Sequence, residues 1–403
     1  MSKSVPAPVN PDLLVWAREE GGYDIGEVAA KLSLPPERLV RWESGSEAPT
    51  LRQAEKLAAL YHRPLPLLFL SERPASQPPG AEFRYLPGVT PGEESPELRL
   101  ALRMLRRRRD IALDLLDEME ELPEPFSLSA RLDQEPEEVG ARLREALGVT
   151  VDQQYGWRDP YESWRTWRDR TESLGLMVFQ VPGLDLREMR GVALFQNPLP
   201  VVGVNSKDHP LARPFTLMHE VVHLMLRAGG EESAAKEQVR HPRSWPLIER
   251  FADSVAAATL MPGDAFTHDP DVATHPPGAA WSINEIEPVA KRFRVSMVAA
   301  MTRLATLSRM SWEHCRNLRA VWERKFERQA KRKTGGGPTR AGLILSRVGP
   351  SYAALVLDSL TRDLITPLAA SDALDLKVHH FDRLKSALLH GAEPPPTPSS
   401  FAP

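Results

Sequence analysis

The chain has 403 residues, with 51 Lys and Arg against 54 Asp and Glu, a formal net charge of −3 and 42% hydrophobic residues. A length of this kind predicts about two to four domains, and the near-neutral balance excludes a protein that coats nucleic acid or membrane by bulk charge, so any DNA contact must be local. The single cysteine, Cys315, excludes an intramolecular disulfide and a thiolate-rich zinc cluster within one chain. One cysteine, an N-terminal MSKSVPAPVNPD without the segments of a signal peptide, and no apolar run of bilayer length lead us to expect a cytoplasmic protein with no membrane partner.

In chain order, residues 11–70 read as four short helices. Leu13, Leu14 and Ala17 share a face of the first, and Ile25, Val28, Ala29 and Leu32 follow at helical spacing in the second. Ser33-Leu34-Pro35-Pro36 turns tightly into a third, Glu37 to Glu43, and Pro49-Thr50 opens a fourth, Leu51 to His62. The pattern is that of a helix-turn-helix, and Trp42-Glu43-Ser44-Gly45 resembles the end of the third helix in the repressor-type (XRE) family. The resemblance implies binding of double-stranded DNA through residues 11–70, with Arg38 and Arg41 as candidates for base or phosphate contacts. Against it, residues 1–70 carry 8 Lys and Arg and 9 Asp and Glu, a net of −1, whereas DNA readers usually show a basic face. A helical module that binds protein or forms a homodimer is the alternative.

Residues 94–121 predict a long helix with Leu98, Leu102, Leu105, Ile111, Leu115 and Met119 on its apolar positions. The run Arg106 to Arg109 is expected to be a solvated or partner-facing surface, as charge runs on helices usually are. Three β-rich runs follow, Leu176 to Val181, Gly191 to Phe195 and Val201 to Val204, broken at Pro182-Gly183 and Asn197-Pro198. They predict a small antiparallel sheet.

The next helix, Pro214 to Arg227 with a stop at Gly229-Gly230, contains His219-Glu220-Val221-Val222-His223. Histidines four residues apart lie one turn apart on one face, so both imidazoles can reach one metal ion with Glu220 beside them. Two histidines and a carboxylate around Zn2+ leave a position for water, whose pKa the metal lowers to about 7, and Glu220 is the candidate general base that takes its proton. The bare HExxH pattern gives false positives, so context decides. Residues 244–260 form a second amphipathic helix, closed by Met261-Pro262-Gly263. On it Glu249 is the preferred third ligand, and Asp253, one turn on, the acceptor for the free N–H of a ligand histidine. The competing reading makes Glu249 a surface residue and Asp253 the ligand.

RPFTLMHEVVHLML followed by IERFADSVAAATLMP resembles the ImmA/IrrE family of metallopeptidases, over residues 174–310 approximately. The resemblance implies a zinc peptidase with Glu249 as third ligand, acting on a transcriptional repressor and so switching on stress-response or mobile-element genes. Two departures stand out: Asp253 where the family usually has Asn, and Val222 where a small residue is common, bulky enough to crowd the neighbouring strands. Arg213, Thr216 and Asn205 match family-like positions without a derivable role, and Tyr155 and Tyr161 are unsupported candidates for oxyanion stabilisation.

Beyond the core, Ile283 to Leu307 reads as two helices around Phe293-Arg294-Val295-Ser296, expected to pack on the zinc domain. Arg316 to Arg332 is expected to be a solvated basic helix leading to the linker Gly335 to Pro338. Residues 340–392 form a small helical module in which ITPLAASDALDLKVHHFDRL again has a helix-turn-helix cadence, and the adjacent His379 and His380 make a poor metal pair. The expected fold is α+β, mostly α, with a zincin-like core. Its expected division is a helix-turn-helix domain at 1–72, a helical linker region at 73–155, the peptidase domain with its helical extension at 156–335 and the C-terminal module at 336–403. The function expected is a zinc endopeptidase acting on a regulatory protein; the alternative is a DNA-binding regulator that keeps the metal for structure.

Overall fold

Short amphipathic helices dominate the chain, and a computed structural model describes residues 6–74, 94–123, 125–228, 245–276, 278–330 and 339–390. The expected stop at Gly229-Gly230, the linker Gly335 to Pro338 and part of the 316–332 helix lie outside the described residues. The chain divides into two compact units, Met1–Met104 and Leu105–Pro403.

In the first unit α1 (Pro11–Glu20), α2 (Ile25–Leu32), α3 (Pro36–Glu43) and α4 (Leu51–Leu60) enclose a core of Leu13, Leu14, Ala17, Val28, Leu39, Trp42 and Leu57. The ends of α2 are set by side-chain chemistry: Asp24 and Glu27 form a capping box at its start, and Ser33 closes it in the left-handed conformation. The Trp-Glu-x-Gly signature turns out to be architectural. Trp42 is buried in the core, Glu43 takes two hydrogen bonds from the Arg18 guanidinium at 2.8 and 3.1 Å, and Gly45 adopts φ +73° in the exit turn.

In the second unit β1 (Met177–Val181), β2 (Gly191–Leu194) and β3 (Val201–Asn205) form a sheet in the order β1-β3-β2. The sheet is mixed, which corrects the antiparallel expectation: β1 pairs with β3 in parallel and only β2 pairs with it antiparallel. Alternation and breaks in sequence carry no pairing partner. Here β3, buried at every position, takes the centre, and the long connection 182–190 carries the chain past it to the opposite edge.

The long helix α5 (Pro96–Glu118) corrects a second expectation, since the arginine run is not wholly a solvated face. Arg108 and Arg109 are buried. Arg109 donates to the carbonyls of Leu199, Pro198 and Gln196 at 3.0, 2.6 and 3.2 Å and so holds the β2–β3 connection, while Arg108 lies over the Phe179 ring. A planar five-donor group suits a turn whose carbonyls have no strand partner.

Helices α6 (Pro136–Leu147), α7 (Val151–Gly156) and α8 (Pro160–Glu172) precede the sheet; α9 (Arg213–Ala228) and α10 (Trp245–Leu260) follow it. Helix α9 packs on β2 and β3, and α10 packs on α6 and α9. The approach of α6 to α10 depends on Gly140, where a Cβ would come within 2.6 Å of the Ala258 Cβ. After short α11 (Gly263–Thr267) and α12 (Pro270–Ala273), α13 (Ile283–Arg292) and α14 (Met297–Thr306) complete the core, with α14 against α10. Helix α15 (Trp312–Ala330) leads on to α16 (Arg340–Val348), α17 (Pro350–Thr361), α18 (Pro367–Leu374) and α19 (Phe381–His390). This last group docks on β1: Arg168 of α8 donates to the carbonyls of Leu345 and Ser346, and Tyr352 packs edge-on against Phe179. Among the described residues no single helix is long and apolar enough to cross a membrane.

Candidate metal centre

Helix α9 buries Leu217, Met218, Val221, Val222, Leu224 and Met225, and this packing turns the other stripe, His219 and His223, toward α10. Val222 is accommodated: it is fully enclosed in the cluster that also holds Val202 and Val204 of β3. On α10, Ala252, Val255 and Ala256 face the core, so Glu249 and Asp253, one turn apart, rise together beside the two histidines.

The donor atoms converge. His219 Nε2 and His223 Nε2 are 3.1 Å apart, and the Glu249 carboxylate lies 3.5 Å from the first and 3.4 Å from the second. Ligands about 2.0–2.2 Å from a tetrahedral zinc lie about 3.3–3.6 Å from one another, so the two carboxylate spacings match and the histidine pair, slightly closer, is still near enough to share one small cation. His219, His223 and Glu249 form the group of His, Cys, Asp or Glu able to hold a metal ion among the described residues. Glu249 Oε1 is buried and accepts no hydrogen bond of good geometry among the described residues, its histidine contacts being ion-pair distances. Such an atom suits a ligand better than a structural acceptor.

Asp253 sits elsewhere on the ring. Its Oδ1 is 2.9 Å from His219 Nδ1, so with the proton on Nδ1 the Nε2 lone pair points at Glu249 and His223. The geometry brings Glu249, and not Asp253, to both Nε2 atoms. Burial opposes charging of both Glu249 and His219, but their mutual contacts outweigh it: Glu249 is pulled down to about 2 by the two histidines, and His219 is raised by Asp253 and Glu249.

Glu220 lies outside the triad and is buried. Burial pushes its carboxyl up, with His223 and His219 opposing. Room for it comes from Gly191 of β2, where a Cβ would stand 2.7 Å from Glu220 Oε1 and 2.6 Å from Thr216 Cγ2. The sequence reading passed over Gly191. A glycine opening a β-rich run was the available signal, since it often marks close approach of another group.

Two of the family-like positions, Arg213 and Asn205, hold backbone groups. Arg213 donates to the carbonyls of Asp208 and Ser206, and Asn205 donates to that of Met189 and accepts from the Lys207 amide. Tyr155 packs edge-on against Phe293 in the core. In the first unit Arg41 Nε is 2.9 Å and Arg38 Nε 3.5 Å from the same carboxylate, that of Glu47, with the Arg38 guanidinium over Trp42. The two arginines share an acidic partner on the face proposed to read DNA.

Comparison with known families gives two matches. Residues 172–305 match the IrrE N-terminal-like domain, a peptidase family, and residues 14–68 match the helix-turn-helix family. No curated protein matches the chain.

Proposed function

From a chain built of a helix-turn-helix domain followed by an IrrE N-terminal-like peptidase domain, we infer a zinc-dependent endopeptidase that cuts a regulatory protein, a transcriptional repressor by resemblance. The observation that carries the reading is the three donors near enough to share one small cation, with a buried carboxylate, Glu220, beside them and outside their triangle. A metal kept only for structure needs no such base and usually takes a fourth protein ligand.

In this reading His219, His223 and Glu249 hold the ion, and Asp253 fixes the His219 tautomer. Zinc held there supplies Lewis acidity toward a carbonyl oxygen and an acidified water at neutral pH. Glu220 takes a proton from the attacking water and passes it to the departing amine, a transfer favoured by a carboxyl whose pKa burial has raised. The helix-turn-helix, with Arg38 and Arg41 on its third helix, brings the enzyme to DNA or to a DNA-bound repressor.

Zinc content and cleavage test the two halves separately. Elemental analysis should give about one zinc per chain in the wild type and in Glu220→Gln, and little in His219→Ala or Glu249→Ala. New protein N-termini in cells producing the wild type, missing from cells producing Glu220→Gln, should identify the substrate, with cleavage reduced about 100- to 10,000-fold in the variant. Equal cleavage by Glu220→Gln removes the base, and a wild type that takes up no zinc removes the peptidase.

A further inference from the structure

The left-handed ending of α2 is a common helix ending, found also at His62, Glu120, Arg294, Ser308 and Asp363, but among the described residues one place repeats it together with the helix cap before it and the hydrogen bond that opens the helix after it. In the first unit Asp24 caps α2, Ser33 ends it at φ 55°, ψ 49°, Leu34 N–H donates to the Ala29 carbonyl at 2.9 Å, and Arg38 N–H donates to Pro35 at 3.0 Å. A constant offset of 342 residues reproduces each feature in the C-terminal module. Thr366 caps α18, Asp375 ends it at φ 50°, ψ 44°, Leu376 N–H donates to the Ser371 carbonyl at 3.1 Å, and His380 N–H donates to Lys377 at 2.9 Å. The buried Leu39 and Trp42 of α3 correspond to the buried Phe381 and Leu384 of α19. Between α13 and α14 the turn recurs with Arg294 at φ 52° and Val295 N–H on the Ala290 carbonyl, but there the second helix is buried along most of its length and has no face to offer.

What differs is the charge of the exposed second helix. In the first unit Glu47 occupies both arginines. In the C-terminal module Lys377, His379 and Arg383 are exposed and His380 is half-buried. Besides partial burial, the groups that hold the His380 pKa down are His379, Arg383, Arg340 and Lys377, all basic. Of the acids in residues 366–390, Asp372, Asp375 and Asp382 are all exposed, and Asp375 also acts on the interior guanidinium of Arg108.

We propose that residues 366–390, with Arg340 beside them, are a second DNA-binding element that seats on the phosphate backbone of double-stranded DNA through Lys377, His379 and Arg383. A helix-turn-helix presents the start of its second helix to the groove while flanking cations meet phosphates. The Lys377 to Arg383 segment is that start. The inference stands apart from the zinc site.

The test uses the full chain and a fluorescein-labelled duplex of about 30 base pairs and mixed sequence, followed by anisotropy across a salt series. Lys377→Ala/Arg383→Ala should weaken binding about tenfold at low salt and reduce the slope of log K against log salt by about 1.8, two phosphate contacts at about 0.9 each. In the wild type, DNA should slow amide exchange over residues 376–386. No binding at low salt, an unchanged slope, or protection confined to residues 36–47 overturns the proposal, the last leaving the N-terminal module as the reader. A variant that loses mass in solution rather than DNA affinity assigns the face to self-association instead.

Discussion

Asp253 Oδ1 and His219 Nδ1 are 2.9 Å apart, and that contact sets which ring nitrogen faces the other donors. Asp253→Ala should therefore lower zinc affinity about 10- to 100-fold without abolishing binding. Competition with a chelator measures it, and wild-type affinity in the variant leaves the contact without a role. Gly191 poses a steric question at the same scale. An alanine Cβ would collide with Thr216 Cγ2 and with both Cγ and Oε1 of Glu220, so Glu220 must leave its present rotamer. Gly191→Ala should thus cost activity far more than stability: zinc retained, Tm within a few degrees, and cleavage of the identified substrate down about tenfold or more. Unchanged cleavage means that Glu220 works from another rotamer.

The face that α10 offers to the histidines depends on how its far end is held. Arg144 of α6 donates to the Thr259 carbonyl at 2.8 Å and to Gln154 Oε1 at 2.8 Å, and Gln154 Nε2 donates to the carbonyls of Leu260 and Phe293. Burial lowers the Arg144 pKa to about 10, which still leaves it charged at neutral pH. These donors satisfy carbonyls at the C-terminal end of α10, where the helix's own amides have run out and its dipole favours a cation. Arg144→Ala should destabilise the second unit by about 2–3 kcal/mol, since it removes charged hydrogen bonds and leaves buried acceptors unpaired. Chemical denaturation checks this, and a loss under about 0.5 kcal/mol shows that water replaces the guanidinium.

All three candidate metal ligands and Asp253 belong to the second unit, Leu105–Pro403. Calorimetry should therefore show two transitions, with zinc at about 1,000 times its Kd stabilising only one, by about 4 kcal/mol. A single transition that shifts as a whole would show that the units unfold together.

The sequence by itself determined the local features. Helical period placed His219 and His223 on one helix stripe with Glu220 beside it, turn residues marked the helix-turn-helix connection at Ser33, and the order of parts was readable because each depends on neighbours a few residues away. Tertiary structure decided whatever joined distant residues: Glu249 rather than Asp253 at both Nε2 atoms, β3 rather than β2 at the centre of the sheet, and Arg108 and Arg109 turned inward. Periodicity states which residues share a face. What that face meets is set by packing and by the need to pair buried polar groups, and both depend on elements far away in the chain.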